Sequence, residues 1–381
     1  MAKKRFSITA LISLVVIFFL SVGVGPKDSS SKSSLKSSKD CRECHEEIYH
    51  HWKNAMHSMA IEDPIFKASY MESYLNTAGD AKFHCLRCHA PVTLANKDYD
   101  LKQEITKEGV NCDFCHSIKK IDLKNVDQPF ELEIGEIKRG PLSNADSPAH
   151  KTEPSPLFKS SKLCAGCHEY VNEKGVSILA TYSEWEKSPY AKQGTQCQNC
   201  HMPLISGKIV KPKIKVTKLK QINLHAISAA HSTEQLRKAI QVEIKKINKE
   251  GDIIEVVVGV TNIGSGHLVP TGIPSRKLIL LVEVKTPNEY FSQQKVYQKI
   301  MLDDSGKEIK KECEVFLQAA KISFDNRIRP KETRIERFAF VLPKHKKITI
   351  KARIEYLYKT TVLRPTEMRV KMAEDTKTLS R

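Results

Sequence analysis

The sequence predicts an α+β chain of two domains, a mainly α and irregular segment followed by an immunoglobulin-like β-sandwich. Three observations carry this. Five Cys-x-x-Cys-His motifs crowd into residues 41–201 of the 381, and none follows. In the first part, Ile48, Trp52, Ala55, Met56 and Met59 recur at helical spacing and give one apolar face, read as core. From Lys238 onward the hydrophobic period becomes two. The boundary falls near residues 232–240, so the domains are placed at 40–235 and 236–368.

The motifs comprise Cys41, Cys44 and His45; Cys85, Cys88 and His89; Cys112, Cys115 and His116; Cys164, Cys167 and His168; and Cys197, Cys200 and His201. Each is an attachment pattern for a c-type haem. Two cysteines on one helical turn can add to the two vinyl groups, and the adjacent histidine stands under the iron as proximal ligand. A zinc pair or a redox dithiol would fit one copy, but not five copies that all end in histidine. A disulfide framework would not place a histidine after every second cysteine. The motifs use ten of 11 cysteines, leaving Cys313, read as a small buried hydrophobe. Residues 40–235 are therefore expected to form a pentahaem domain with five covalently attached haem c groups. Its helices should be short and its connections long and Pro-rich, as over Pro141–Pro156.

An iron used only for electron transfer normally carries a second axial ligand. Nine histidines lie outside the motifs: His50, His51, His57, His84, His150, His225, His231, His267 and His345. Around His267, Gly264, Gly266 and Gly272 permit close backbone approach to a planar group. A plain turn between strands gives no reason for a histidine at its tip. His231 precedes Ser232-Thr-Glu-Gln235, a capping box opening a helix, which places it ahead of His225 as a candidate. His50, His51, His84 and His345 are read as surface residues or as supports for ligands.

Several stretches together resemble the cytochrome c-552/c-554-like multihaem family. They are Cys41-Arg-Glu-Cys44-His45 with Trp52-Lys-Asn-Ala-Met-His57, Gly109-Val-Asn-Cys112-Asp-Phe-Cys115-His116, and Gln196-Cys197-Gln-Asn-Cys200-His201-Met202-Pro203. Asn262-Ile-Gly-Ser-Gly266-His267-Leu-Val-Pro270-Thr271-Gly272 completes the set. The resemblance implies haems packed edge to edge, with His57 and His267 as distal ligands and His150 as a third. A fainter echo lies inside the chain. Trp52 precedes His57 by five residues, and Trp185 precedes Tyr190 by five. Tyr190 would then hold the place of a ligand, and packing is the plainest role for it.

The first residues are basic (Lys3, Lys4, Arg5), and an apolar run reaches about Val24. Residues 1–25 read as a signal peptide or an N-terminal anchor, with cleavage favoured. The protein is expected to be exported to the periplasm or another extracytoplasmic space, or anchored at the inner membrane. A Ser/Lys-rich linker over 26–39 should follow. The formal charge is +18. About two propionates per haem would offset much of it. The remainder suits other redox proteins, acidic cytochromes among them, or anionic lipid. No motif argues for nucleic acid.

In the second domain, Gln241–Ile247 and Ile253–Thr261 read as a hairpin across a Lys249–Asp252 turn. Further strands are expected at Lys277–Lys285, Val296–Met301, Glu336–Leu342 and Ile348–Tyr358, with Asp303–Gly306 a turn and 369–381 a polar tail. The domain shows no catalytic constellation. Its expected role is to deliver His267 and a docking surface.

The reading favours an electron carrier with a chain of bis-histidine haems. The alternative is an oxidoreductase with one open iron, acting on a small nitrogen or sulfur compound. Pentahaem nitrite reductases resemble this chain in haem number but commonly carry a Lys in place of one motif histidine, and all five motifs here end in His. A hydroxylamine-oxidising site can keep the ordinary motif. A membrane-anchored quinol oxidiser would need the N-terminal segment and has no use for the long β domain.

Overall fold

Each motif folds as its own helical turn, which puts cysteines three residues apart on one face. The second to fifth motifs lie within helices Lys82–His89, Cys112–His116, Lys162–His168 and Cys197–His201. The first starts in helix Ser38–Arg42 and closes by a hydrogen bond from His45 N to Cys41 O, 2.9 Å. The short helices are pinned at their starts. Asn111 Oδ1 accepts from Phe114 N at 2.7 Å, and Gln196 with Asn199 forms a capping box. The computed structural model describes residues 34–211, 221–342, 347–359 and 367–380. The expected signal or anchor segment, most of the linker, His345 and the Cys313 side chain lie outside what is described. Among the described residues no helix is long and apolar enough to cross a membrane.

Three expectations for the first region need correction. Helix Glu46–Lys53 stops early, because Asn54 leaves helical geometry; Trp52 and Ala55 are buried but Met59 is exposed. The linker does not run to residue 39. Leu35 joins an apolar cluster with Phe114 and Ile118, and Lys36 N donates to Asp113 Oδ2 at 2.7 Å. The connections are also less irregular than expected. Four two-stranded ladders hold them, one of them parallel between Ile137–Gly140 and Lys151–Pro154, inside the Pro-rich stretch.

The second region is built from two antiparallel sheets. One has the order Thr333–Val341, Ile253–Asn262, Ile240–Glu250. The other has the order Tyr290–Tyr297, Arg276–Lys285, Lys347–Lys359, Glu367–Ser380. Alternate residues of both enter one core: Ile244, Val256, Val258 and Phe338 from the first, Leu280, Val282, Ile350 and Ile354 from the second. The expected hairpin is present, with Val256 opposite Ile247. The supposed polar tail is instead the edge strand Glu367–Ser380. Its side chains are largely exposed, but its backbone pairs with Lys347–Lys359 along its whole length. Polar composition marked one face of a strand, not disorder. Strand Tyr290–Tyr297 was likewise hidden by its exposed residues.

Candidate functional site

One cavity of about 1260 Å³ runs through the molecule. It exceeds the usual range of roughly 300–1,000 Å³ for a site holding one small ligand. All ten motif cysteines and all five motif histidines line it. So do the five candidate distal residues His57, His150, His225, His231 and His267. His84, expected at the surface or as a support for a ligand, lines it too, its Nδ1 3.3 Å from the Tyr170 hydroxyl. His50 and His51 do not belong to the lining.

The rings are oriented from behind. His45 Nδ1 lies 2.8 Å from Ile209 O, His89 Nδ1 2.9 Å from Ala60 O, His116 Nδ1 2.5 Å from Arg139 O and His201 Nδ1 2.7 Å from Ser228 O. A backbone carbonyl fixes the proton on Nδ1 and leaves Nε2 as the basic nitrogen. His225 and His267 have the same arrangement, with Nδ1 2.7 Å from Asn223 O and 2.9 Å from Leu268 O. Burial holds the pKa of His57, His225 and His267 down to about 4 and that of His168 to about 3. Each therefore presents a neutral imidazole at neutral pH, the form that binds metal.

Three histidine pairs have a common spacing. Ring centroids are 6.2 Å apart for His45 and His150, 6.3 Å for His57 and His168, and 6.4 Å for His201 and His267. Metal–imidazole bonds of about 2.0 Å, with about 1.1 Å more from each nitrogen to its ring centre, would put two rings on one iron roughly 6.2 Å apart. The pairs thus fit two ligands on opposite sides of one metal. His225 lies in the electrostatic field of His116, and His231 shares that of Asp63 and Arg276 with His89.

The cysteines show which motifs adjoin. The thiols of Cys41 and Cys112, of Cys164 and Cys197, and of Cys88 and Cys167 lie near enough to perturb each other's ionisation. Cys115 in turn lies in the field of Cys164. The first and third motifs, and the fourth and fifth, pack as two similar units. Ser38 Oγ accepts from Cys112 N at 3.2 Å; Ser161 Oγ accepts from Cys197 N at 2.9 Å. Trp52 Nε1 donates to Val110 O and Trp185 Nε1 to Thr195 O, both at 2.8 Å, each carbonyl two residues ahead of a motif. The echo in the sequence is a repeat in the structure. Tyr190 packs at the cavity wall, its hydroxyl donating to Ile263 O at 3.1 Å and Lys331 Nζ standing 4.8 Å from its ring centre.

Two glycines hold distal candidates in place. Val110 N donates to His57 O at 2.8 Å, and a Cβ on Gly109 (φ +67°) would fall 2.3 Å from that same oxygen. A Cβ on Gly264 would fall 2.1 Å from Lys238 O, where the His267 loop crosses the end of helix Thr233–Ala239.

The family model for cytochrome c554 and c-prime matches residues 40–117, which contain the first three motifs. Over those residues the chain is similar to this family of c-type cytochromes, and two further motifs of the same kind follow at Cys164–His168 and Cys197–His201. Its fold is similar to that of the penta-heme cytochrome c552 from Thermochromatium tepidum, with TM-score 0.72 and 22% identity over 90% of this chain and 99% of that one. A β-glucosidase from Kluyveromyces marxianus aligns over 38% of this chain and 14% of its own, at 9% identity and TM-score 0.17, too low to carry an argument. No curated protein matches the sequence. The mixed α+β architecture accords with the similarity to the penta-heme cytochrome c552, and the five motifs together with the matched family support haem c as cofactor and electron transfer as role.

Proposed function

We propose that this cytochrome binds five haem c groups, one per motif, and conducts electrons between redox partners outside the cytoplasm. The three histidine pairs spaced at 6.2–6.4 Å carry the reading. When bound, each haem supplies a one-electron iron couple. The chain does the rest. Cysteine pairs fix each group covalently; the proximal His45, His89, His116 and His201 are aimed by backbone carbonyls. His150, His57 and His267 stand opposite His45, His168 and His201, and His225 and His231 serve His116 and His89. Two nitrogen ligands per iron keep it low-spin and limit rearrangement on redox change.

The adjoining cysteines support a continuous order of sites: first, third, fourth and fifth, with the second against the fourth. The β region is read as an immunoglobulin-like sandwich, its two sheet orders being those of a Greek-key pairing. It delivers His267 from the loop after strand Ile253–Asn262. Basic surface beyond what the propionates neutralise suits acidic partner cytochromes or, through residues 1–25, a membrane.

A second reading concerns the second motif. His231 is the most exposed of the five distal candidates, and Phe66 stacks on His89 at 3.7 Å. An iron left open there would make the protein an oxidoreductase on a small nitrogen or sulfur compound. The mass of the haem-loaded protein counts the haems, and the ferric spin state separates the two readings.

A further inference from the structure

The loop that carries His267 is held by a buried charge cluster. Glu184, on helix Thr181–Glu186 of the motif region, accepts from Leu268 N at 3.2 Å and from Thr271 Oγ1 at 2.7 Å, both through Oε2. Its other oxygen pairs with Arg327 Nη1 at 2.7 Å. Arg327 comes from the β region. It grips Asp325 with Nε at 2.9 Å and Nη2 at 2.7 Å, and its Nη1 reaches Pro270 O at 3.3 Å. Glu184 and Arg327 side chains are only 7% and 6% exposed. From the opposite side, Asn262 Nδ2 donates to His267 O at 3.0 Å.

Burying ionised groups is costly unless they are paired and their remaining lone pairs are used. Here they are spent on three positions of one loop, Leu268, Pro270 and Thr271, immediately after His267. We propose that Glu184, locked by Arg327, is a positioning residue that sets the distance and angle of His267 opposite His201. It thereby tunes the haem of the fifth motif. This rests on His267 being the distal ligand there.

The test uses the full haem-loaded protein and four variants: Glu184→Gln, Thr271→Val, Thr271→Ser and, as control, His267→Ala. Electron paramagnetic resonance and redox titration are read together, with haem content and circular dichroism confirming a folded, five-haem product. Glu184→Gln is expected to change the g-values of one haem, or turn it partly high-spin. It should also raise that haem's midpoint potential, since a buried negative charge is removed and Arg327 keeps only Asp325 as counter-charge. Thr271→Val should give a smaller change of the same signal, and Thr271→Ser should restore the native spectrum. If Glu184→Gln fails to fold, the threonine pair decides. Native g-values and potentials in both Glu184→Gln and Thr271→Val, with His267→Ala producing one high-spin haem, overturn the proposal and leave the ligand reading standing. An unchanged spectrum in His267→Ala removes the ligand reading, and this proposal with it.

Discussion

His201 and His267 face each other with ring centres 6.4 Å apart and planes 12° from parallel. One belongs to the fifth motif and the other to a loop of the β region, so two distant parts of the chain converge on a separation that suits a single metal. His57 with His168 and His45 with His150 repeat it. Replacing His267, His57 or His150 by alanine is expected to convert one haem equivalent from low-spin to high-spin while covalent haem content stays at five. His50→Ala, outside the cavity, should leave the spectrum native. Magnetic resonance and haemochrome assay on the four variants decide this.

Ser38 and Ser161 perform the same task in the two repeat units, each accepting a backbone N–H from the first cysteine of the neighbouring motif. Both are fully buried. Removing either hydroxyl strands a buried donor, at about 1–3 kcal/mol. Ser38→Ala and Ser161→Ala should therefore lower stability by similar amounts in denaturant titration. A loss in one and none in the other would contradict the repeat.

Acid should weaken the fold over a defined window. Burial alone holds His57, His225 and His267 at about 4, and ligation to iron would oppose their protonation further, in the same direction. In the unfolded chain these histidines titrate near 6.5. Between those values the unfolded chain takes up protons that the folded one refuses, so stability falls as pH drops from about 6.5 toward 4 and is flat above neutrality. Thermal midpoints of the haem-loaded protein across pH 4–8 should show that slope. A midpoint that rises on acidification would contradict it.

The core between the two sheets meets the cavity at Leu236, Val269 and Tyr356, whereas Leu280 does not line the cavity. Leu280 is fully buried between the sheets. Leu280→Ala should cost about 2–5 kcal/mol and leave the haem spectrum of the folded protein unchanged. A spectral change at low temperature, where the variant is folded, would show that the core and the cavity are coupled.

Much of the site was legible because its chemistry is local. The spacing of Cys112, Cys115 and His116 is fixed by one helical turn, and a turn is written in consecutive residues. His267 was legible through its glycines, of which Gly264 meets the Lys238 carbonyl. His84 was not, since its place at the cavity depends on where helix Lys82–His89 lies rather than on any neighbour in sequence. Glu184 was missed for the same reason: its partners Leu268, Thr271 and Arg327 are about 80 or more residues away. The strands Arg276–Lys285 and Ile253–Asn262 announced themselves by apolar runs. Strand Glu367–Ser380 did not, because it is an edge strand whose few core-facing residues, Val370, Met372 and Ala373, are outnumbered by exposed polar ones.

The central claim is that every iron in this protein lies between two histidines. Quantitative electron paramagnetic resonance of the fully oxidised, haem-loaded protein tests it directly. Five low-spin ferric haems and no high-spin signal are the predicted result. One high-spin equivalent would contradict it and mark an open iron, turning attention to nitrite, hydroxylamine and sulfur oxyanions as substrates.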